Sequence, residues 1–193
     1  MDATSDAPTR GGRAAPLPPL ERRAAIVDAV IPLILANSEM PTSRQIAAAA
    51  EVSEGTIFNV FDDKSDLLEA VVAAMLDPTK FEEIIDDIDR EQQFAAQLES
   101  AIAEIQRRVV DVWRVLSIVP HQPLEAKRWA TSPAITSLLA SSDVPLRFPP
   151  AQAAEMLRAI TLSLTHPLMS DGPLAPSVIA HLFLHGIIDG VIE

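Results

Sequence analysis

Apolar residues from Leu20 to Leu35 (Leu20, Ala24, Ile26, Val27, Val30, Ile31, Ile34, Leu35) recur three and four positions apart, the spacing that lines one face of an α-helix. Pro32 lies inside this stretch and removes the hydrogen bond to the Asp28 carbonyl, so a kink or an early end is expected there. Thr42 and Ser43, both good N-caps, precede a short Ala-rich helix over Arg44–Ala50. Glu51-Val52-Ser53 breaks the pattern. A third helix is predicted over about Glu54–Phe61 and a fourth over Ser65–Leu76, capped by Ser65 and stopped by Asp77-Pro78. Further along, the pattern predicts a long amphipathic helix over about Gln92–Val119, ended by Pro120, and shorter helices near Leu124–Ala130 and Ala134–Ala140. Two strongly apolar helices, Ala151–Thr165 and Pro176–Ile188, close the series. Alternating strand patterns are hard to find, so the chain reads as all-α.

Composition sharpens this reading. None of the six glycines falls between Thr56 and Asp171, an interval rich in strong helix formers. With 193 residues, 48% of them hydrophobic, the chain has ample material for a core. The absence of cysteine excludes disulfides, thiolate metal sites and a cysteine nucleophile. The apolar runs fall well short of the roughly 18 residues of a membrane span, and the acidic start is not a secretory signal. A cytoplasmic protein without a membrane partner is expected.

The organisation follows. Residues 1–19 hold Pro8, Pro16, Pro18 and Pro19 with little periodicity and read as a flexible arm. Residues 20–76 form a compact helical unit, and 77–193 a second one.

Residues 42–64 read TSRQIAAAAEVSEGTIFNVFDDK. This is a short helix, a tight turn and a second short helix, with Ile46, Ala47, Ala50, Val52, Ile57 and Phe61 apolar where crossing helices must touch. Ser53, Glu54, Thr56, Phe58 and Asn59 form the outward set of the second helix. That arrangement is expected of a helix-turn-helix whose second helix lies in the DNA major groove.

The run IA…VS.GTIFN.F.DK.DLL resembles the TetR family of one-component transcriptional regulators over about residues 20–76. The resemblance implies an N-terminal three-helix DNA-binding domain with a helix-turn-helix, and a C-terminal helical domain that dimerises and binds a small ligand. It implies a DNA-binding set of Thr42, Ser43, Arg44, Ser53, Glu54, Gly55, Thr56, Phe58, Asn59 and Lys64. In this set Thr42, Thr56 and Lys64 meet phosphates, and Arg44 reaches a base or a phosphate. Ser53, Glu54, Gly55 and Asn59 face base edges; Asn can pair with adenine and Glu can accept from cytosine.

Three departures stand out: Phe58 where the family usually has Tyr, Val60 where a polar residue is common, and Glu51 in place of a frequent turn glycine. Residues 1–76 hold six basic against eleven acidic residues, a net of −5, so weak non-specific DNA binding with pronounced salt sensitivity is expected. Arg10 and Arg13 of the arm either enter the minor groove or belong to a solvated tail; both readings stay open.

In the C-terminal half, Trp113, Leu116, Trp129, Phe148 and Met156 are candidate ligand-cavity residues, with core packing the alternative. Residues 77–193 net −7, with nine basic and sixteen acidic residues, which points to an apolar or cationic effector. Ala153, Leu157, Ile160, Leu164, Val178, Ile179, Leu182, Phe183 and Gly186 are candidates for a homodimer interface, or else complete the monomer core. His181 and His185 share a helix face and could make half a metal site, but two histidines on an apolar helix read first as interface residues, and no metal or cofactor is assigned. Arg107, Arg108 and Arg114 are expected to be solvated or paired with acids such as Glu104 and Asp111. The acidic stretch around Asp86, Asp87 and Asp89 lacks the spacing of a calcium loop and reads as a solvated helix face. No G-x-S-x-G, H-E-x-x-H, P-loop or G-x-G-x-x-G motif is present, so no enzyme is expected. The function expected is a ligand-responsive regulator, most simply a repressor, that binds palindromic operator DNA as a homodimer. The alternative is a helical small-molecule- or partner-binding protein with weakened DNA binding.

Overall fold

A computed structural model describes residues 18–118 and 132–187. Arg10, Arg13, Trp129 and the helix expected near Leu124–Ala130 lie outside the described residues.

The described residues form α1 (Pro19–Asn37), α2 (Ser43–Ala49), α3 (Glu54–Val60), α4 (Lys64–Leu76), α5 (Thr79–Asp86), α6 (Phe94–Leu116), α7 (Pro133–Ala140), α8 (Pro150–Ser163) and α9 (Pro176–Ile187). Helix α1 runs straight through the position where an early end was expected. Pro32 sits on its exposed side, as does Asp28, so water can satisfy the carbonyl that the proline leaves unbonded. The helix closes instead at Ser38, in the left-handed region with φ 53°, whose N–H donates to the Ile34 carbonyl.

Helix α4 starts one residue early. Its N-cap is Asp63, which accepts from the Asp66 N–H, rather than Ser65. An aspartate is as good a cap as a serine, and Asp63 has the extended backbone that a cap requires. Asp86, Asp87 and Asp89 are exposed as expected, but the residues before them form α5, which was not expected and buries Phe81 and Ile85.

Two hydrophobic cores result. The first takes Ile26, Val30 and Ile34 of α1, Ile46 and Ala47 of α2, Ile57 and Phe61 at α3, and Leu67, Leu68, Val71 and Val72 of α4. The second joins α5, α6, α7, α8 and α9 around Leu98, Ile102, Ile135, Leu138, Leu157, Ile179 and Phe183. Helix α6 serves both, because Val115 packs into the first core while Leu98 to Val109 pack into the second. Among the described residues no helix is long and apolar enough to cross a membrane.

Candidate functional site

The turn between α2 and α3 fixes the angle at which α3 is presented. Glu51 has φ 54°, the left-handed region that suits glycine, and its N–H donates to the Ala48 carbonyl while the Val52 N–H donates to that of Ala47. Ile57 is buried against α1 and α2, so the opposite side of α3 must face solvent. Ser53, Glu54, Gly55 and Asn59 are exposed, and Phe58 keeps 64% of its surface open, a high value for an aromatic side chain. A Cβ placed on Gly55 would meet nothing closer than the Ser53 Oγ at 3.8 Å, so this side of α3 is open to an approaching molecule.

Two of the expected phosphate hydroxyls are already bonded within the chain. The Thr42 N–H and Oγ1 both donate to Gln45 Oε1 at 2.8 Å, and the Gln45 N–H donates back to Thr42 Oγ1 at 3.3 Å, a capping box. Thr56 Oγ1 shares a 2.8 Å hydrogen bond with Ser53 Oγ, which also caps α3 by accepting from the Thr56 N–H. The T-x-x-Q signature that predicts the capping box is readable in the sequence and assigns Thr42 a structural task first.

Thr42, Ser43, Phe58 and Lys64 nonetheless meet in one notch of about 320 Å³, floored by Ile46, Ile57 and Leu67. Lys64 is exposed at the first position of α4. Arg44 is exposed on α2. Glu51, Glu54, Asp62 and Asp63 are exposed in the same segment of the chain.

What holds this face rigid is Arg23, which sequence reading passed over. Its Nη2 donates to Asp66 Oδ1 at 2.5 Å and its Nη1 to Asp66 Oδ2 at 3.2 Å and to the Val60 carbonyl at 3.1 Å. The guanidinium lies 4.3 Å above the Phe61 ring. One side chain therefore ties α1 to the end of α3 and to the start of α4.

The C-terminal candidates are scattered. Trp113 is half-buried with its ring edge-on to His166 at 4.6 Å, Leu116 packs against the first core, and Phe148 and Met156 pack against the second. A cleft of about 310 Å³ does lie between α1, α4, α5 and α6, but Asp28, Met75, Phe81, Ile84, Arg107 and Arg108 line it, and none of those candidates does. Arg107 pairs with Glu104 and Asp111 as expected. Arg108 is instead half-buried, with Nη2 donating to the Leu76 and Asp77 carbonyls at the end of α4, and burial pushes its pKa down. Arg114 Nη1 reaches the Leu35 carbonyl near the end of α1 at 3.4 Å.

The interface candidates divide. Ala153, Leu157, Ile179 and Phe183 are each 0% exposed within a single chain, so they have no surface to offer a second copy. The apolar stripe of α9 is covered mainly by α6, and that of α8 by α7 and α6, which periodicity alone does not reveal. Ile160 and Leu164 are half-buried against the same core, and Gly186 lies near the end of α9. Val178 at 45% and Leu182 at 51% remain open, as do Leu168, Met169 and Leu174 before α9.

Residues 41–71 match the family model described as bacterial regulatory proteins, tetR family. Among solved structures, the chain is similar to the transcriptional regulator FadR from Bacillus subtilis, seen in complex with stearoyl-CoA. The identity there is 18% and the TM-score 0.52, with 88% of this chain and 99% of that chain covered. It is similar also to the TetR-like transcriptional regulator LfrR from Mycobacterium smegmatis, seen in complex with proflavine, at 22% identity and a TM-score of 0.51, covering 89% of this chain and 98% of that one. At these identities the likeness is one of fold. No curated protein matches the chain in sequence.

Proposed function

We propose, from the match of residues 41–71 to the tetR family of bacterial regulatory proteins, that this chain represses transcription by binding a palindromic operator as a homodimer and lets go when a small molecule occupies its C-terminal half. The observation that carries the reading is the exposed face of α3. Ser53, Glu54, Gly55, Phe58 and Asn59 point outward together, with Arg44 and Lys64 beside them, on a helix whose other side is locked into a core. Asn59 and Glu54 read base edges, and Lys64 holds a phosphate.

Two copies are needed because one α3 reads only a half-site. Their recognition helices must lie about 34–36 Å apart to enter successive major grooves. Val178 and Leu182 of α9, with Leu168, Met169 and Leu174, supply the apolar face that a second copy covers. An effector that favours a dimer with another spacing shifts the population away from the DNA-competent form. Arg108 and Arg114 couple α6 to the ends of α4 and α1, the route by which the C-terminal half acts on the reading heads.

The effector is apolar or cationic. The C-terminal core is built almost wholly of Leu, Ile, Val, Ala and Phe, and residues 77–193 carry a net negative charge. LfrR is seen with proflavine and FadR with stearoyl-CoA, so a useful panel spans both chemistries.

Selection of binding sites from random duplexes by the purified chain tests the reading. A two-fold symmetric sequence should emerge, released by cationic aromatic compounds and not by sugar phosphates. Absence of any enriched sequence would leave a helical ligand- or partner-binding protein as the function, and light scattering that finds a monomer at micromolar concentration would remove the dimer.

A further inference from the structure

His181 and His185 lie one turn apart on α9, both exposed, with ring centroids 3.8 Å apart. His185 Nδ1 is 2.8 Å from the His181 carbonyl oxygen. A carbonyl can only accept, so Nδ1 carries the proton and the lone pair sits on Nε2. A ring held in this way by a backbone carbonyl presents its other nitrogen to a cation, the arrangement that orients most metal-ligating histidines. Two imidazoles at i and i+4 on one helix can share a cation once their rings turn apart from this 3.8 Å approach, so that both free nitrogens face it.

One chain supplies only this half. Among the described residues no three His, Asp or Glu side chains gather to hold a metal ion. Zinc bound structurally takes four ligands at tetrahedral angles. The missing pair has an evident source, because Val178, His181, Leu182 and His185 form a single exposed stripe with helical spacing. A two-fold axis through that stripe sets each histidine pair opposite its twin, with Val178 and Leu182 packing around it.

We propose that two copies of this chain meet along α9 and enclose one zinc-class divalent cation between His181 and His185 of each. The proposal rests on the homodimer reading above. The all-nitrogen donor set selects zinc, or nickel and copper in competition, and not magnesium or calcium, which prefer oxygen.

The test uses the full-length chain without a histidine tag, freed of metal with EDTA. Zinc chloride titrated calorimetrically should bind at one ion per two chains, and cobalt(II) in its place should give the strong visible absorption of a tetrahedral site. Zinc should tighten the dimer, read by sedimentation equilibrium, by about tenfold or more over EDTA. The double variant His181→Gln/His185→Gln should lose both effects while keeping its circular dichroism, since both side chains are exposed. His166→Gln should change neither. Zinc bound at one or more ions per chain with no change in the dimer, or unaltered binding in the double variant, would overturn the proposal. A dimer in EDTA that ignores zinc removes the metal site and leaves the homodimer standing. A monomer with and without zinc removes both.

Discussion

Arg23 and Asp66 form a two-pronged ion pair, with N–O distances of 2.5 and 3.2 Å, that joins α1 to α4, the first and last helices around the N-terminal core. The hydrogen bond from Arg23 is the main reason the Asp66 carboxyl is held below the usual carboxylate range; partial burial opposes this, and the Asp62 N–H and the charge of Arg23 add to it. In the unfolded chain an aspartate titrates near about 4. The stabilisation is therefore complete above that value and disappears as pH falls toward the lowered native one. Asp66→Asn should lower the urea midpoint at pH 7, and the variant should lose less stability than the natural chain on going to acid. Parallel acid limbs for the two proteins would show that the pair contributes nothing.

Glu51 occupies a left-handed backbone position at φ 54° and adds negative charge to the reading face. Glu51→Gly should raise stability by about 0.5–1 kcal/mol, because a Cβ in that conformation is strained. The same change should tighten binding to any DNA sequence by removing a repulsive charge. A destabilised variant would mean that the turn is not strained.

Gly55 separates folding from recognition. An alanine Cβ there finds open space, and alanine is the better helix former, so Gly55→Ala should leave stability unchanged or raise it by up to about 1 kcal/mol. On the operator it should cost about tenfold in affinity, since the added methyl stands between α3 and the groove. Full affinity in this variant would place the DNA further from Gly55.

Lys64→Ala should weaken all DNA sequences about equally and reduce the salt slope by about one unit per subunit. Arg44 and Lys64 are the exposed cations within the described residues 41–71. Two phosphate contacts from each subunit would contribute a slope of about −4 for the dimer. Acidic neighbours lower affinity at every salt concentration, whereas the slope counts the phosphates neutralised. A slope unmoved by Lys64→Ala would take the lysine off the phosphate backbone.

Asn59→Ala should cost about 1–3 kcal/mol on the selected operator and little on random duplex, as expected of a side chain that pairs with a base edge. Equal losses on both would transfer Asn59 to the phosphate contacts.

Most helices were legible because their apolar spacing is regular, and α3 was legible because Gly55, Thr56, Phe61 and Lys64 stand at distinctive intervals; α5 was not, because only Phe81 and Ile85 mark its buried side among acidic residues. Finer features were not. Asp63 and Ser65 are both good caps two residues apart, and only the backbone shows which one is extended. Leu157 and Phe183 are as apolar as any interface residue, and nothing in their spacing says that α6 and α7 cover α8 and α9 within one chain. Arg23 looked like one more charge on an amphipathic helix, because its partner Asp66 lies 43 positions away. Long-range pairs of this kind leave no periodic trace.

Helix α6 gives this architecture a lever arm. Its 23 residues span about 34 Å as a single rod, with Leu98 fixed near one end and Val115 inserted among the side chains beneath α3 and α4 at the other. A tilt of only about 5° about Leu98 would swing Val115, about 26 Å away along the axis, by roughly 2 Å, more than the rise of one helical residue. Because α8 and α9 pack along the Leu98–Val109 stretch, a small shift of either would arrive enlarged at Val115, with Arg108 and Arg114 drawing the ends of α4 and α1 along the same arc.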